Sequence, residues 1–198
     1  MSTLTYGRLS GAALRSAFDE LASLRMAVFR DFPYLYEGNP DYERAYLETY
    51  ARSEQSLLFT VHDGTQLVGA TTALPLSDEM EEVQAPFRAG GYDLNALFYF
   101  GESLLLPAYR GRGLGHRFFD EREAHARRFG QYRAACFCAV DRPADHPLRP
   151  ADYQPLDGFW RKRGYAPVPT LQSTFYWPDL GATESTPKRM TYWMRPLR

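Results

Sequence analysis

Leu104-Leu105-Leu106-Pro107-Ala108-Tyr109-Arg110-Gly111-Arg112-Gly113-Leu114-Gly115 reads as a buried strand running into a proline, a glycine turn and a helix. Glycines let backbone approach a ligand closely. Free N–H groups at the helix start then face that ligand, and the helix dipole favours an anion there. Arginines at 110, 112 and 117 add positive charge. The stretch predicts a cradle for a phosphate or pyrophosphate. A Gly-x-x-x-x-Gly-Lys-Ser/Thr loop is absent. A Gly-x-Gly-x-x-Gly fingerprint counted from Gly111 fails, because His116 stands where the third glycine would be. A bare Arg-x-x-Gly-x-Gly can also serve only to start a helix, so its neighbours decide its meaning.

Upstream, Leu4 and Tyr6 alternate with polar residues and predict a short strand. Ser10 is placed to cap a helix over 11–29, where Leu14, Ala17, Phe18, Leu21, Leu24 and Val28 recur at helical spacing. An aromatic loop, 31–38, leads to Asn39-Pro40, a cap followed by a first-turn proline. The helix after it carries Tyr42, Tyr46, Leu47 and Tyr50 on one stripe. A hairpin over 57–74 turns at Asp63-Gly64. An acidic helix is expected over 77–88 until Pro86, broken by Gly90-Gly91. Residues 97–106 predict a central strand, with Gly101 marking a bulge.

Downstream of the glycine turn, a charged helix to about Arg128 is followed by a strand over 134–140 and a proline-rich loop to Tyr153. A short helix over 155–163 ends at Gly164, and strands over 170–177 and 189–195 close the chain. The order implies a mixed α/β fold with at least one parallel crossover, in one domain spanning 1–198.

The 198 residues carry 23 basic against 24 acidic side chains, so the general nucleic-acid footprint is missing. No run approaches the roughly 20 apolar residues of a membrane span, and Met1 to Leu9 lacks the pattern of a signal peptide. A cytoplasmic protein is expected. Cys136 and Cys138 alternate in a strand, so they share a face and cannot easily bond each other. The four histidines lack metal-ligand spacing, so no metal is expected.

Taken with its flanks, the 104–115 stretch closely resembles the acetyl-CoA signature of the GNAT superfamily of N-acetyltransferases. The family's Gln/Arg-x-x-Gly-x-Gly/Ala pattern is matched by Arg110, Gly113 and Gly115. Phe159-Trp160-Arg161-Lys162-Arg163-Gly164-Tyr165 looks like the family's Leu-Tyr-x-x-x-Gly-Phe segment, and the element order agrees over nearly the whole chain. The resemblance implies a twisted, mostly antiparallel sheet of about seven strands, a central parallel strand-helix-strand unit and flanking helices. It also implies acetyl-CoA as co-substrate and acetyl transfer to a primary amine of a small molecule or protein. A non-catalytic acyl-CoA-binding or regulatory module on the same fold is the alternative, and a homodimer stays open.

By that resemblance, the backbone of Ser103, Leu104 and Leu105 would bind the acetyl and pantetheine end. Arg110, Gly111, Arg112, Gly113, Leu114, Gly115 and His116 would take the pyrophosphate. The central strands would splay where the cofactor inserts. Two positions depart from the family. The tyrosine that often protonates the thiolate aligns with Trp160, which cannot do so and is expected to wall the cofactor site. An asparagine found seven residues earlier aligns with Tyr153, the nearest remaining candidate acid.

Glu102 is the candidate base, since a charge amid 98–106 needs a reason; pairing with an arginine would supply another. Phe32, Tyr34 and Tyr36 are expected to line the acceptor pocket. Glu79, Glu81 and Glu82 are expected to form a solvated helix face.

Overall fold

Apolar runs at 57–61, 67–76 and 97–100 are long enough to be buried on both faces, and they form the middle of the sheet. A computed structural model describes residues 3–197; Met1, Ser2 and Arg198, which belong to the expected domain and its N-terminal stretch, lie outside the described residues. The strands are β1 (Leu4–Leu9), β2 (Leu57–Asp63), β3 (Gln66–Pro75), β4 (Leu97–Leu105), β5 (Ala134–Val140), β6 (Ala166–Pro178) and β7 (Ser185–Pro196). They form one seven-stranded sheet in the order β1-β2-β3-β4-β5-β7-β6. Among the described residues only β4 and β5 are parallel; the remaining neighbours are antiparallel.

The helices are α1 (Phe18–Phe29), α2 (Pro40–Arg52), α3 (Glu81–Ala89), α4 (Leu114–Arg127) and α5 (Asp157–Lys162). Leu21 and Leu24 of α1, Leu47 and Tyr50 of α2, and Val83 and Phe87 of α3 pack on one face of the sheet with Leu97, Tyr99 and Leu104. Phe119 and Ala126 of α4 and the two aromatics of α5 pack on the other with Phe98, Phe100 and Phe137. Helix α4 is the crossover between β4 and β5, as parallel pairing requires.

Local departures from the sequence reading have physical causes. The expected helix over 11–29 begins as a 3-10 stretch, Gly11–Ala17, and becomes α-helical only at Phe18. Ser10 makes no side-chain cap; the Gly11 N–H donates to Ser56 Oγ at 3.0 Å. Asn39 does cap α2, accepting from the N–H groups of Asp41 and Tyr42. The first hairpin turns at residues 64–65, since Asp63 still pairs with Gln66. Helix α3 continues through Pro86. The proline has no N–H for the Glu82 carbonyl, and Ser173 Oγ donates to that carbonyl at 2.6 Å. Strands β6 and β7 are longer than the apolar pattern suggested.

Gly101 does mark a bulge. The β3–β4 register slips between Thr71 and Ala73, so Thr72 faces two residues of β4. Leu97 and Tyr99 point to the α1–α3 face before the slip; Glu102 and Leu104 point there after it. The extra residue thus turns Glu102 inward onto that face. Glycine is required for space: a Cβ at position 101 would lie 2.0 Å from Tyr50 Oη and 2.5 Å from Thr72 Oγ1.

Candidate functional site

The site is assembled from the glycine turn, the β4–β5 junction and a cluster of aromatic and charged side chains on the α1–α3 face. In the turn, Gly111 and Gly113 have φ of +74° and +80°, and Gly113 is the N-cap of α4. These are left-handed conformations, and the space a Cβ would fill is open, so backbone conformation is what demands glycine. Among the described residues no side chain caps α4, which leaves its first N–H groups for an anion. Arg110 donates to the Leu105 carbonyl and pairs with Asp31, each at 3.2 Å. Arg117 is engaged by the Tyr6 ring and Glu121. Arg112 lies over the Tyr109 ring and, among the described residues, has no carboxylate partner. His116 meets the edge of Phe159 at 4.8 Å, and Phe159 continues onto Phe119. Phe159 is therefore the α5 ring beside the turn, a role the sequence reading did not give it. Trp160 packs on Phe137 and Trp193, each at 5.1 Å.

At the junction, β4 pairs with β5 only over Leu97–Tyr99 against Ala134–Cys136. Beyond it the two strands part. The Leu106 N–H bonds to the Val68 carbonyl on the β3 side. By alternation, the N–H groups of Ser103 and Leu105 face the opening, while that of Leu104 faces β3. A linear chain carrying an amide backbone can add to such an edge as a strand would. On the α4 face, Arg122 is fully buried between the Phe100 and Phe119 rings and donates to the Phe118 carbonyl. Burial lowers it to about 10, so it stays charged at neutral pH.

In that cluster, Glu102 is buried. Its Oε1 is ion-paired with Arg25, and its Oε2 accepts from the Tyr46 hydroxyl at 3.1 Å. Arg25 is also ion-paired with Glu43. Burial alone would lower Arg25, but Glu102, Tyr46 and Glu43 outweigh it and hold the guanidinium well above its ordinary value. Tyr34 stands near this group. Burial raises its hydroxyl, Cys138, Glu102 and Tyr153 push the same way, and Arg25 opposes. Phe32 meets the edge of Tyr153 at 4.7 Å, and Arg149 covers both rings. Burial raises Tyr153, so it is protonated near neutral pH. Cys138 lies 3.2 Å from the Tyr99 hydroxyl, and burial pushes its thiol up to about 12. Tyr36 is directed elsewhere: its hydroxyl is raised by burial and then by Glu43. Tyr34 thus stands near both Glu102 and Tyr153, Phe32 packs on Tyr153, and Tyr36 lies to the side on the Glu43 flank.

The hairpin between β6 and β7 holds this loop. The Tyr34 carbonyl accepts from Arg142 at 2.7 Å and from the Trp177 indole at 3.0 Å, and Arg142 also pairs with Asp179. Glu79, expected on a solvated face, is buried. It accepts from Tyr50 at 3.0 Å and from the Met80 N–H at 2.7 Å, and burial pushes it up to about 7. Glu81 is exposed and pairs with Arg88. The sequence held a faint signal for Arg25, a charge next to Leu21 and Leu24 on an apolar stripe; Glu79 gave none.

Among the described residues, no His, Cys, Asp or Glu group could hold a metal ion, and no helix is long and apolar enough to cross a membrane. The model of the acetyltransferase (GNAT) family matches residues 19–149, from α1 through the glycine turn and β5. An acetyltransferase from Thermus thermophilus shares 17% identity, with all of both chains covered and a TM-score of 0.57. The yncA protein of Salmonella typhimurium, solved with its cofactor acetyl-CoA, shares 12% identity over 98% of this chain and 94% of its own, at a TM-score of 0.59. NAA60 of Arabidopsis thaliana, in complex with a bisubstrate analogue, shares 12% identity over 98% of each chain at 0.61. At such identities the likeness is one of fold. The curated proteins give no significant match.

Proposed function

This chain belongs to the acetyltransferase (GNAT) family, and we propose that it moves an acetyl group from acetyl-CoA to a primary amine of a small molecule or protein. The observation that carries the reading is the parting of β4 from β5 directly before an uncapped, glycine-built helix start. A strand edge left open beyond Tyr99, followed in the chain by a helix start with open N–H groups, suits a ligand with a pyrophosphate at one end and amides along its arm.

Acetyl-CoA supplies an acyl group activated as a thioester. The chain supplies the rest. Gly111, Gly113, Leu114, Gly115 and His116 present backbone to the pyrophosphate, with Arg110 and Arg112 adding charge. Ser103, Leu104 and Leu105 hold the pantetheine and acyl end, and an N–H from this edge offsets negative charge on the acyl oxygen. Phe32 and Tyr34 flank the acceptor, with Tyr36 behind them. An alkylammonium has a pKa of about 10, so a base must free its lone pair; Glu102 takes that role. Tyr153 keeps its proton near neutral pH and donates it to the departing thiolate. Trp160 has no titratable proton to give near neutral pH and acts by packing. The reading places one domain over 1–198 in the cytoplasm, with no metal, nucleic acid or membrane involved.

The test is thiol release from acetyl-CoA across a panel of primary amines. Release that depends on one or more amines, with acetylated product by mass spectrometry, supports the reading. Tight acetyl-CoA binding with no amine-dependent release would assign the chain to a non-catalytic acyl-CoA-binding module.

A further inference from the structure

Four side-chain oxygens form a line through the α1–α3 face. Glu79 Oε1 lies 3.0 Å from Tyr50 Oη, which lies 3.0 Å from Tyr46 Oη, which lies 3.1 Å from Glu102 Oε2. Tyr50, Glu79 and Glu102 are buried. The line has three gaps, and the two hydroxyls bring two protons. With both carboxylates ionised, Tyr46 donates to Glu102 and Tyr50 donates to Glu79. The two phenol oxygens then face each other with no proton between them. A third proton completes every bond in the chain, and a buried polar line gains most when all its members are satisfied.

We propose that Glu79 is the terminus of a proton relay that drains Glu102 through Tyr46 and Tyr50 during acyl transfer. This rests on the acetyl-transfer reading above. The N–H bond of the acceptor ammonium breaks and leaves its electron pair on nitrogen. The proton arrives at Glu102, and the Tyr46 hydroxyl turns toward Tyr50. Glu102 then passes its proton to Tyr46, Tyr46 passes its own to Tyr50, and Tyr50 passes its own to Glu79. Glu102 is again a carboxylate against Arg25, and one proton has moved from nitrogen to Glu79, which gives it up to bulk water before the next turnover. The second nitrogen proton leaves after the new C–N bond forms and offsets the one given to the thiolate.

The surroundings agree with Glu79 as the resting place. Arg25 is ion-paired with Glu102, at the far end of the line. Burial pushes Glu79 up to about 7; the Met80 N–H, Tyr50 and Arg25 oppose this, and Glu102 adds to it. Tyr99 of β4, Cys136 and Cys138 of β5, and Tyr192 of β7 also face it, and each is raised by burial, so each is neutral near pH 7. The relay accepts a proton only while Glu79 is ionised, so turnover rises with pH through about 7.

The experiment compares pH–rate profiles of wild type, Glu79→Gln and Tyr46→Phe on an amine that the wild type acetylates. Acetyl-CoA affinity is measured alongside by calorimetry. Both variants are expected to lose about 10²-fold in kcat and the limb near pH 7, with acetyl-CoA affinity kept. Wild-type rates and profiles in both folded variants would overturn the relay. If a variant does not fold, carbon NMR of glutamate carboxyls in the wild type decides. One carboxyl titrating near pH 7, matching the kinetic limb, supports the relay; all carboxyls titrating in the ordinary range overturns it. Failure of the wild type to acetylate any amine would instead remove the functional reading on which the relay stands.

Discussion

Arg25 and Glu102 form a buried ion pair that joins α1 to the bulge in β4. The carboxylate identified as a candidate base is therefore also a structural anchor. Removing one partner of such a pair leaves an uncompensated buried charge, at a cost of about 3–5 kcal/mol. Arg25→Met strands Glu43 as well as Glu102. The expected outcome is a loss of that size in urea unfolding. A loss under about 1 kcal/mol would mean that the pair contributes no more than an exposed one.

Gly113 holds φ +80° at the start of α4. Gly113→Val adds a β-branched side chain where the left-handed conformation disfavours it, and places that side chain where the pyrophosphate is proposed to lie. Acetyl-CoA binding should disappear in calorimetry while circular dichroism reports a folded chain. Retained affinity in a folded variant would remove the turn from the cofactor site.

Tyr34 stands near Glu102 and Tyr153, and Phe32 packs on Tyr153, while Tyr36 turns to Glu43. Phe32→Ala and Tyr34→Ala should raise the acceptor KM more than the acetyl-CoA KM, and Tyr36→Ala should do so less. Equal effects on both substrates, with a lower Tm, would identify these rings as core packing.

Asp179 fastens the β6–β7 hairpin under the Tyr34 loop. Burial pushes its carboxyl up, but Arg142 and Lys188 outweigh that and hold it below the ordinary aspartate value. Its contribution to stability is therefore complete above the ordinary aspartate pKa, and it fades as pH falls through the lowered one. The Leu180 N–H, bonded to the Leu35 carbonyl at 2.8 Å, reports on this contact. Its hydrogen-exchange protection should persist from neutral pH into the mildly acidic range and drop in stronger acid. In Asp179→Asn, protection should be weaker throughout and lack the acid step. An unchanged acid step in that variant would assign it to another group.

Two neighbouring rings on α5 divide their duties. Phe159 touches His116 beside the turn, and Trp160 packs on Phe137 and Trp193. Trp160→Phe should retain substantial turnover. Phe159→Ala should weaken acetyl-CoA binding more than it lowers Tm. Abolished turnover in a folded Trp160→Phe that still binds acetyl-CoA would give the indole a chemical role.

Period and punctuation made the frame readable in the sequence. The hairpin over 57–74, the Asn39-Pro40 cap, the Gly101 bulge and the glycine turn are local signals, each fixed by a few adjacent residues. The buried polar line was not readable, because its members come from segments far apart in sequence. Glu79 looked solvated beside Glu81 and Glu82, and only the packing of the segment before α3 against α2 removes it from water. The Arg142–Asp179–Tyr34 clamp was hidden for the same reason: it joins three loops with no periodicity.

Where the cofactor lies decides the functional reading. A crystal structure with a non-transferable acetyl-CoA analogue tests this most directly. The predicted result is a pyrophosphate on the backbone of residues 111–116, a pantetheine arm between the parted ends of β4 and β5, and a thioester carbonyl near the Ser103–Leu105 edge, facing Glu102 and Tyr34. A cofactor bound elsewhere, or one whose thioester lies outside the β4–β5 opening, would contradict it.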